Sequence, residues 1–262
     1  MSGAVGHGGR PAALVTGGRR GIGRAIAWAL AERGFDLVIA DLEQDAEARV
    51  TLHGLAERGA DARFVAADIA EIARHDGLVE AVYDAFGRLD CLVNNAGLAT
   101  LALGDLLELA PQSYDRLFAV NTRGTFFLTQ AAARRMLRDT PPGTPRSITF
   151  VTSSNARLVA PNRGDYCMSK AAAAMAAQLF AARLGEAGIA VHEIRPGLID
   201  TAMTARARER YDRLVTEGAT PIRRWGQPED VGRAVAALAA GDIPFTTGAA
   251  FAIDGGMHLH RV

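Results

Sequence analysis

Short, nearly uninterrupted apolar runs recur along the chain, and a longer helical pattern separates each from the next. The runs are AALVT (12–16), DLVIAD (36–41), ARFVAAD (62–68), DCLVNNAG (90–97), SITFVTSS (147–154), IAVHEIRPG (189–197) and AAFAID (249–254). Helical patterns cover 21–34, 45–59, 75–87, 111 to about 138, 165–186, 203–216 and 228–240. Gly34 and Gly188 stand where two of these helices should stop. A strand that is apolar on both faces must be covered on both, and a helix after each strand supplies the cover. The pattern predicts one doubly wound α/β domain of about seven parallel strands. In such a sheet a ligand sits beyond the carboxyl ends of the strands. Chemically active residues are therefore expected just after strands.

The chain has 262 residues and is 49% hydrophobic, enough for one sizeable core. Formal net charge is zero, which gives no electrostatic case for nucleic acid or an anionic membrane. Charges break every long apolar tract, so no segment is expected to span a bilayer. The two cysteines, Cys91 and Cys167, make neither a disulfide framework nor a metal cluster, and a reducing cytoplasm is the default. The Gly-rich start has no apolar core of a signal peptide. Residues 1–10 read as a disordered tail and 11–262 as the single domain, with a Pro-rich loop at DTPPGTPR. His258 and His260 are spaced H-x-H, but with no carboxylate or cysteine beside them a packed tail at a subunit interface is the expectation, and no metal site is expected.

The polar residues cluster as the strand rule requires. After the first strand comes TGGRRGIG (16–23), where Gly17, Gly21 and Gly23 bracket the turn into a helix. Missing side chains let backbone approach a pyrophosphate, and the helix N-terminus offers amides and a positive dipole. Asp41 ends the second strand, where a carboxylate can accept both adenosine ribose hydroxyls and repel a 2′-phosphate. Arg19 and Arg20 point the other way, since a guanidinium can pair with that phosphate. Like-charge crowding at Asp41 tips the reading to NAD(H), with NADP(H) the alternative. Asp68 ends the third strand and suits either an adenine edge or a turn. Asn94-Asn95-Ala96-Gly97 makes a tight polar turn after the fourth. Asn121 lies in the apolar tract FAVNTRGTFF, where a poor helix former implies an internal hydrogen-bonding role or a helix distortion.

Thr152-Ser153-Ser154 closes the fifth strand, and the helix beyond it opens on DYCMSKAA (165–172). Tyr166 and Lys170 lie one turn apart on one helix face. A phenol titrates near pH 10, so a phenolate base at neutral pH needs a shift of roughly three units, about 4 kcal/mol. A neighbouring ammonium acts in that direction.

In order along the chain, T-G-x-x-x-G-I-G (16–23), N-N-A-G (94–97), Asn121, Ser153, Y-x-x-x-K (166–170) and P-G-x-I-x-T (196–201) resemble the short-chain dehydrogenase/reductase family. R-W-G-Q-P-E-D-V (224–231) and D-G-G (254–256) resemble its closing motifs. The resemblance implies a single Rossmann-type domain and NAD(P)-dependent interconversion of a carbonyl and an alcohol. It implies Tyr166 as acid/base and Lys170 as the group that holds the nicotinamide ribose and lowers the phenol's pKa. Ser153, thirteen residues before the tyrosine, would bond the substrate oxygen, and Asn121 would hold a proton-relaying water. Cofactor contacts would come from Gly17, Arg19, Arg20, Gly21, Ile22, Gly23, Asp41, Leu42, Asp68, Ile69, Asn95, Ala96, Gly97, Tyr166, Lys170, Pro196, Gly197, Ile199 and Thr201. A homotetramer or homodimer is also implied.

The family fixes the reaction, not the substrate. The pattern is most similar to 3-oxoacyl-(acyl-carrier-protein) reductases, yet Glu186-Ala187-Gly188 lacks the basic residue that many of them place before the sixth strand. Sugar, polyol and hydroxy-acid dehydrogenases are the competing readings, and a non-catalytic cofactor-binding regulator is a remote one, since Ser, Tyr and Lys are all present. The substrate lid is expected at about 198–218, where Arg206, Arg208, Arg210 and Arg213 either attract an acidic substrate or, as charge runs more often do, form a solvated helix face. Asn155, Arg157 and Arg163 are the residues expected to line the pocket.

Overall fold

The computed structural model describes residues 9–139, 145–205 and 208–259. Its centre is one parallel sheet of seven strands in the order β3-β2-β1-β4-β5-β6-β7. The strands are β1 (Ala12–Thr16), β2 (Asp36–Asp41), β3 (Ala62–Ala66), β4 (Cys91–Asn94), β5 (Arg146–Val151), β6 (Ile189–Pro196) and β7 (Ala250–Ile253). The helices are α1 (Gly21–Glu32), α2 (Ala46–Glu57), α3 (His75–Phe86), α4 (Pro111–Phe118), α5 (Thr125–Asp139), α6 (Gly164–Leu184), α7 (Arg208–Thr216) and α8 (Pro228–Ala239).

Both faces of the five inner strands, β2, β1, β4, β5 and β6, are buried, which is why they read as nearly unbroken apolar runs, while the edge strands β3 and β7 are only partly covered. In β1, Ala12 and Leu14 face a core shared with α3, α5 and α6, while Ala13 and Val15 face a core shared with α1, α2 and α8. Helices α1 and α8 touch closely because Gly232 has no side chain: a Cβ there would stand 2.6 Å from the Ala25 carbonyl oxygen. The strand order turns back between β1 and β4, so the ligand crevice opens between the carboxyl ends of those two strands.

The structure departs from the expected boundaries in informative ways. The helix expected over 111–138 is interrupted by a π turn, Ala119–Gly124, between α4 and α5. Strands β3 and β5 stop before Asp68 and Thr152-Ser153-Ser154, and β4 keeps Asn94 and stops before Asn95. Of the helix expected over 203–216, Arg208–Thr216 is helical as α7, while 203–205 are not part of an α-helix. Most of the expected tail and the core of the Pro-rich loop lie outside the described residues, as do Arg206 and His260. Arg10, placed in the tail by the sequence reading, is instead fastened to the domain: its guanidinium donates to the Gly34 oxygen at 2.9 Å and lies 3.3 Å from Asp36. Among the described residues no helix is long and apolar enough to cross a membrane.

Candidate active site

The crevice is built on the glycine turn. Gly17 has φ +65°, and a Cβ there would stand 2.8 Å from the Ala96 Cα; at Gly23 it would stand 2.1 Å from the Gly17 oxygen. Both positions therefore demand glycine. Asn95 clips the two loops together: its Nδ2 donates to the Thr16 and Gly17 oxygens at 2.9 and 3.0 Å. The amides of Asn95 and Ala96 both donate to Thr16 Oγ1. Helix α1 follows with extended Arg20 as its cap and no side-chain hydrogen bond to its first amides. Only Thr201 faces Gly21, its methyl 3.7 Å from where a Cβ would lie. Bare backbone, free amides and a helix dipole in one cradle fit a pyrophosphate.

Asp41 and Arg19, read from sequence as opposing signals, are partners. Asp41 accepts from the amides of Arg19 and Leu42 at 3.2 and 2.8 Å. The Arg19 guanidinium lies 3.4 Å from Asp41 and bonds Glu43 at 2.7 Å and Asp45 at 2.6 Å, and these acids hold its pKa up. Arg20 is exposed, as is Leu42, while Ile22 packs partly into the core below. Asp68 accepts from the Ala70 amide at 2.9 Å and from Arg116 at 3.2 Å, so it both closes its turn and pairs. Ile69 is buried, and its backbone oxygen would stand 2.3 Å from a Cβ on Gly124.

At the centre, Ser153, Tyr166 and Lys170 converge from β5 and α6. The Ser153 hydroxyl faces the Tyr166 phenol closely enough to favour phenolate. Ser154 is buried beside it without that contact. Lys170 is 6% exposed; its Nζ donates to the Val151 oxygen at 3.2 Å and lies 5.8 Å from the centroid of the Tyr166 ring. The electrostatics correct the sequence expectation. Burial raises the phenol's pKa, and the opposing influences are the Ser153 hydroxyl and the charge of Arg163, not Lys170. Burial also lowers the Lys170 ammonium to about 8. The cause is common to both: each group is withdrawn from water, which penalises whichever form is charged.

Asn121, 1% exposed, sits inside the π turn and braces the loop after Gly97. Its Nδ2 donates to the Leu98 oxygen and to Ser169 Oγ, at 2.9 and 3.0 Å, and its Oδ1 accepts from the Leu98 amide at 2.7 Å. Both the internal bonding and the helix distortion inferred from its sequence context are present. One lone pair of Oδ1 is left for a water. Gly97 keeps this corner open, since a Cβ would stand 3.2 Å from both Asn121 Oδ1 and Lys170 Nζ.

Pro196 ends β6 opposite Ile253, and Gly197 is pressed against Asp254, 2.7 Å from its Cα to the Cβ position. Ile199 is buried and bridges to Gly226. Two groups went unremarked in the sequence. Asp165, fully buried at the start of α6, accepts from the Tyr166 amide at 2.7 Å, Ser113 Oγ at 2.6 Å and Thr100 Oγ1 at 3.1 Å, which locks α6 to the neighbouring segments. Ser169 ties α6 to Asn121. An Asp one residue before the tyrosine was the available signal for the first.

The other pocket residues divide. Arg163 bonds Tyr211 on α7 at 3.1 Å. Arg157 instead lines a separate cavity of about 540 Å³ with Arg195, Ala250, Asp254 and His258, and Asn155 turns back to the Leu158 oxygen. The arginines of α7 are on its outer face, with Tyr211 and Val215 inward; Arg208 pairs with Asp200. His258 does have a carboxylate in space, Asp254 at 2.9 Å.

A family model described as "Enoyl-(Acyl carrier protein) reductase" matches residues 17–258. The chain is 47% identical to a crystal structure of a 3-oxoacyl-[acyl-carrier protein] reductase from Brucella melitensis in complex with NAD, with TM-score 0.93, covering 97% of this chain and 99% of that one. It is 31% identical to the 3-oxoacyl-[acyl-carrier-protein] reductase FabG of Staphylococcus aureus (strain N315), over 94% of this chain and 98% of the relative. A putative 2-deoxy-d-gluconate 3-dehydrogenase from Agrobacterium tumefaciens with bound NADP matches at 30% identity and TM-score 0.83, covering 94% of this chain and 96% of that one. With a matched span of this length, and with relatives of this identity along nearly the whole chain, the protein belongs to the short-chain dehydrogenase/reductase family of nicotinamide-dependent oxidoreductases.

Proposed function

We propose that the protein interconverts a ketone and a secondary alcohol, with the Tyr166 phenol as the acid/base. The convergence of Ser153, Tyr166 and Lys170 at one crevice carries this reading. The cofactor, when bound, supplies or takes up the hydride. The chain's own residues manage the proton and the placement. In the reductive direction Tyr166 gives its proton to the ketone oxygen, and in the oxidative direction it takes the proton from the alcohol. Ser153 donates a hydrogen bond to the same oxygen and orients it. Lys170 would bond the nicotinamide ribose. Asn121 and Asp165 act as positioning residues, the first through Leu98 and Ser169, the second through the Tyr166 amide.

The glycine turn and the start of α1 hold the pyrophosphate, Asp41 the adenosine ribose, and Asp68 with Ile69 the adenine side. Ala96, Gly97, Pro196, Gly197, Ile199 and Thr201 line the nicotinamide side. NAD(H) is the preferred cofactor. Arg19 is committed to Asp41, Glu43 and Asp45, and a 2′-phosphate would meet those three carboxylates. Assembly as a homotetramer or homodimer, a cytoplasmic location and a lid over about 198–218 complete the proposal; a monomer by light scattering overturns the assembly.

The substrate reading that follows the named relatives is a 3-oxoacyl thioester. Reduction of an acetoacetyl thioester with NADH and with NADPH tests it, and NADH should be the faster. No turnover by a folded chain that binds NADH transfers the reaction to a sugar, polyol or hydroxy acid.

A further inference from the structure

Partly buried arginines in this protein are normally paired with acids or with backbone oxygens. Arg19 holds three carboxylates, Arg88 bonds Asp90, Arg195 bonds Glu193, and Arg146 bonds the oxygens of Met136 and Ala187. Arg163 is different. It caps the start of α6, three residues before Tyr166, and is partly buried. Its side-chain partner is a neutral phenol, Tyr211, and its Nε is buried with no partner. The acid two residues beyond it, the one beside Tyr211 and the one paired to α7 are engaged elsewhere. Asp165 is turned to Ser113 and Thr100, Asp212 to the Trp225 indole, and Asp200 to Arg208. Yet the Arg163 charge is close enough to the Tyr166 oxygen to favour phenolate.

A guanidinium withdrawn from water without a counter-charge is costly. Such a cost is retained where the missing partner is a ligand. The space between Tyr166 and α7 is also where a substrate's reacting carbon must lie if Tyr166 handles its proton. We propose that Arg163 is the anion-binding residue of the substrate pocket, and that the substrate is an oxo acid or hydroxy acid whose free carboxylate it holds. A single guanidinium with Tyr211 fixing one edge matches a monoanionic, planar carboxylate. A phosphate dianion would call for a second cation, and the neighbouring arginines on α7 point outward. The inference rests on the ketone/alcohol reading above and narrows it, favouring a free acid over a thioester.

The test is calorimetric binding of 3-oxobutanoate and of its neutral methyl ester, at fixed ionic strength with saturating NAD⁺, which cannot reduce either ketone. Wild type should bind the acid roughly 10- to 100-fold more tightly than the ester, the range expected for a hydrogen-bonded charge. Arg163→Gln should bring the ratio near one, and Arg163→Lys should keep its direction. Tyr166→Phe should keep the preference for the acid even where it abolishes turnover, which separates this inference from the assignment of the acid/base. Equal binding of acid and ester by wild type, or no binding of the acid, overturns it without any variant having to fold. So does a folded Arg163→Gln that retains the wild-type ratio.

Discussion

Lys170 is held as an ammonium in a nearly waterless corner, bonded to one backbone oxygen. A fall from 10.5 to about 8 corresponds to about 3 kcal/mol of penalty on the charged form. Below pH 8 both the folded and the unfolded chain carry the proton, so the penalty is present in full. Between pH 8 and 10.5 the unfolded chain binds more protons, and stability must rise with pH through that window. Lys170→Met should therefore be more stable than wild type to urea at pH 7, by an amount that shrinks as pH rises from 8 to 10.5. A gap that stays constant or widens contradicts the assignment. The spacing of Tyr166 and Lys170 was legible in the sequence as a shared helix face. The sign of the phenol's shift was not, because it depends on burial by residues from β5, the π turn and α7, which no local pattern records. The same limit hid Arg163's lack of an acid partner: the sequence places one acid, Asp165, two residues beyond it without saying which way it turns.

The π turn is the element that sets the floor of the site. It exists because Asn121 gives its amide to Leu98 and Ser169 rather than to solvent, and because Gly124 lets the chain pass against the Ile69 oxygen. Asn121→Ala removes three buried side-chain hydrogen bonds at about 1 kcal/mol net apiece. It should cost about 2–4 kcal/mol in chemical denaturation and loosen the loop after Gly97, read as faster amide exchange at Leu98. Unchanged exchange there would remove Asn121 from its positioning role. The five inner strands were legible because each is buried on both faces, and the break in the helix over 111–138 was signalled by an Asn in an apolar tract. The non-helical course of 203–205 was not, since Met203 and the neighbouring alanines read as helix formers whatever the tertiary context.

Across the whole molecule, the sheet order places every strand-end loop of β1, β2, β4, β5 and β6 around one crevice. The strand-end rule could therefore anticipate which residues meet without knowing the packing. What it could not anticipate was division among neighbouring spaces: Arg157 follows Ser153 by four residues yet opens on a cavity beside β7, while Arg163 stays with Tyr166. Exposed Met168, Met175 and Leu179 along one face of α6 were likewise invisible in an Ala-rich helix until its buried face was known. In the proposed reaction the Tyr166 proton is what this crevice moves. The most direct measurement compares wild type with Tyr166→Phe, in protein that binds NADH and melts as wild type does, on any ketone that wild type reduces. Removing a positioned acid/base should lower kcat by roughly 100- to 10,000-fold. A Tyr166→Phe enzyme that reduces the same ketone at the wild-type rate would contradict the account.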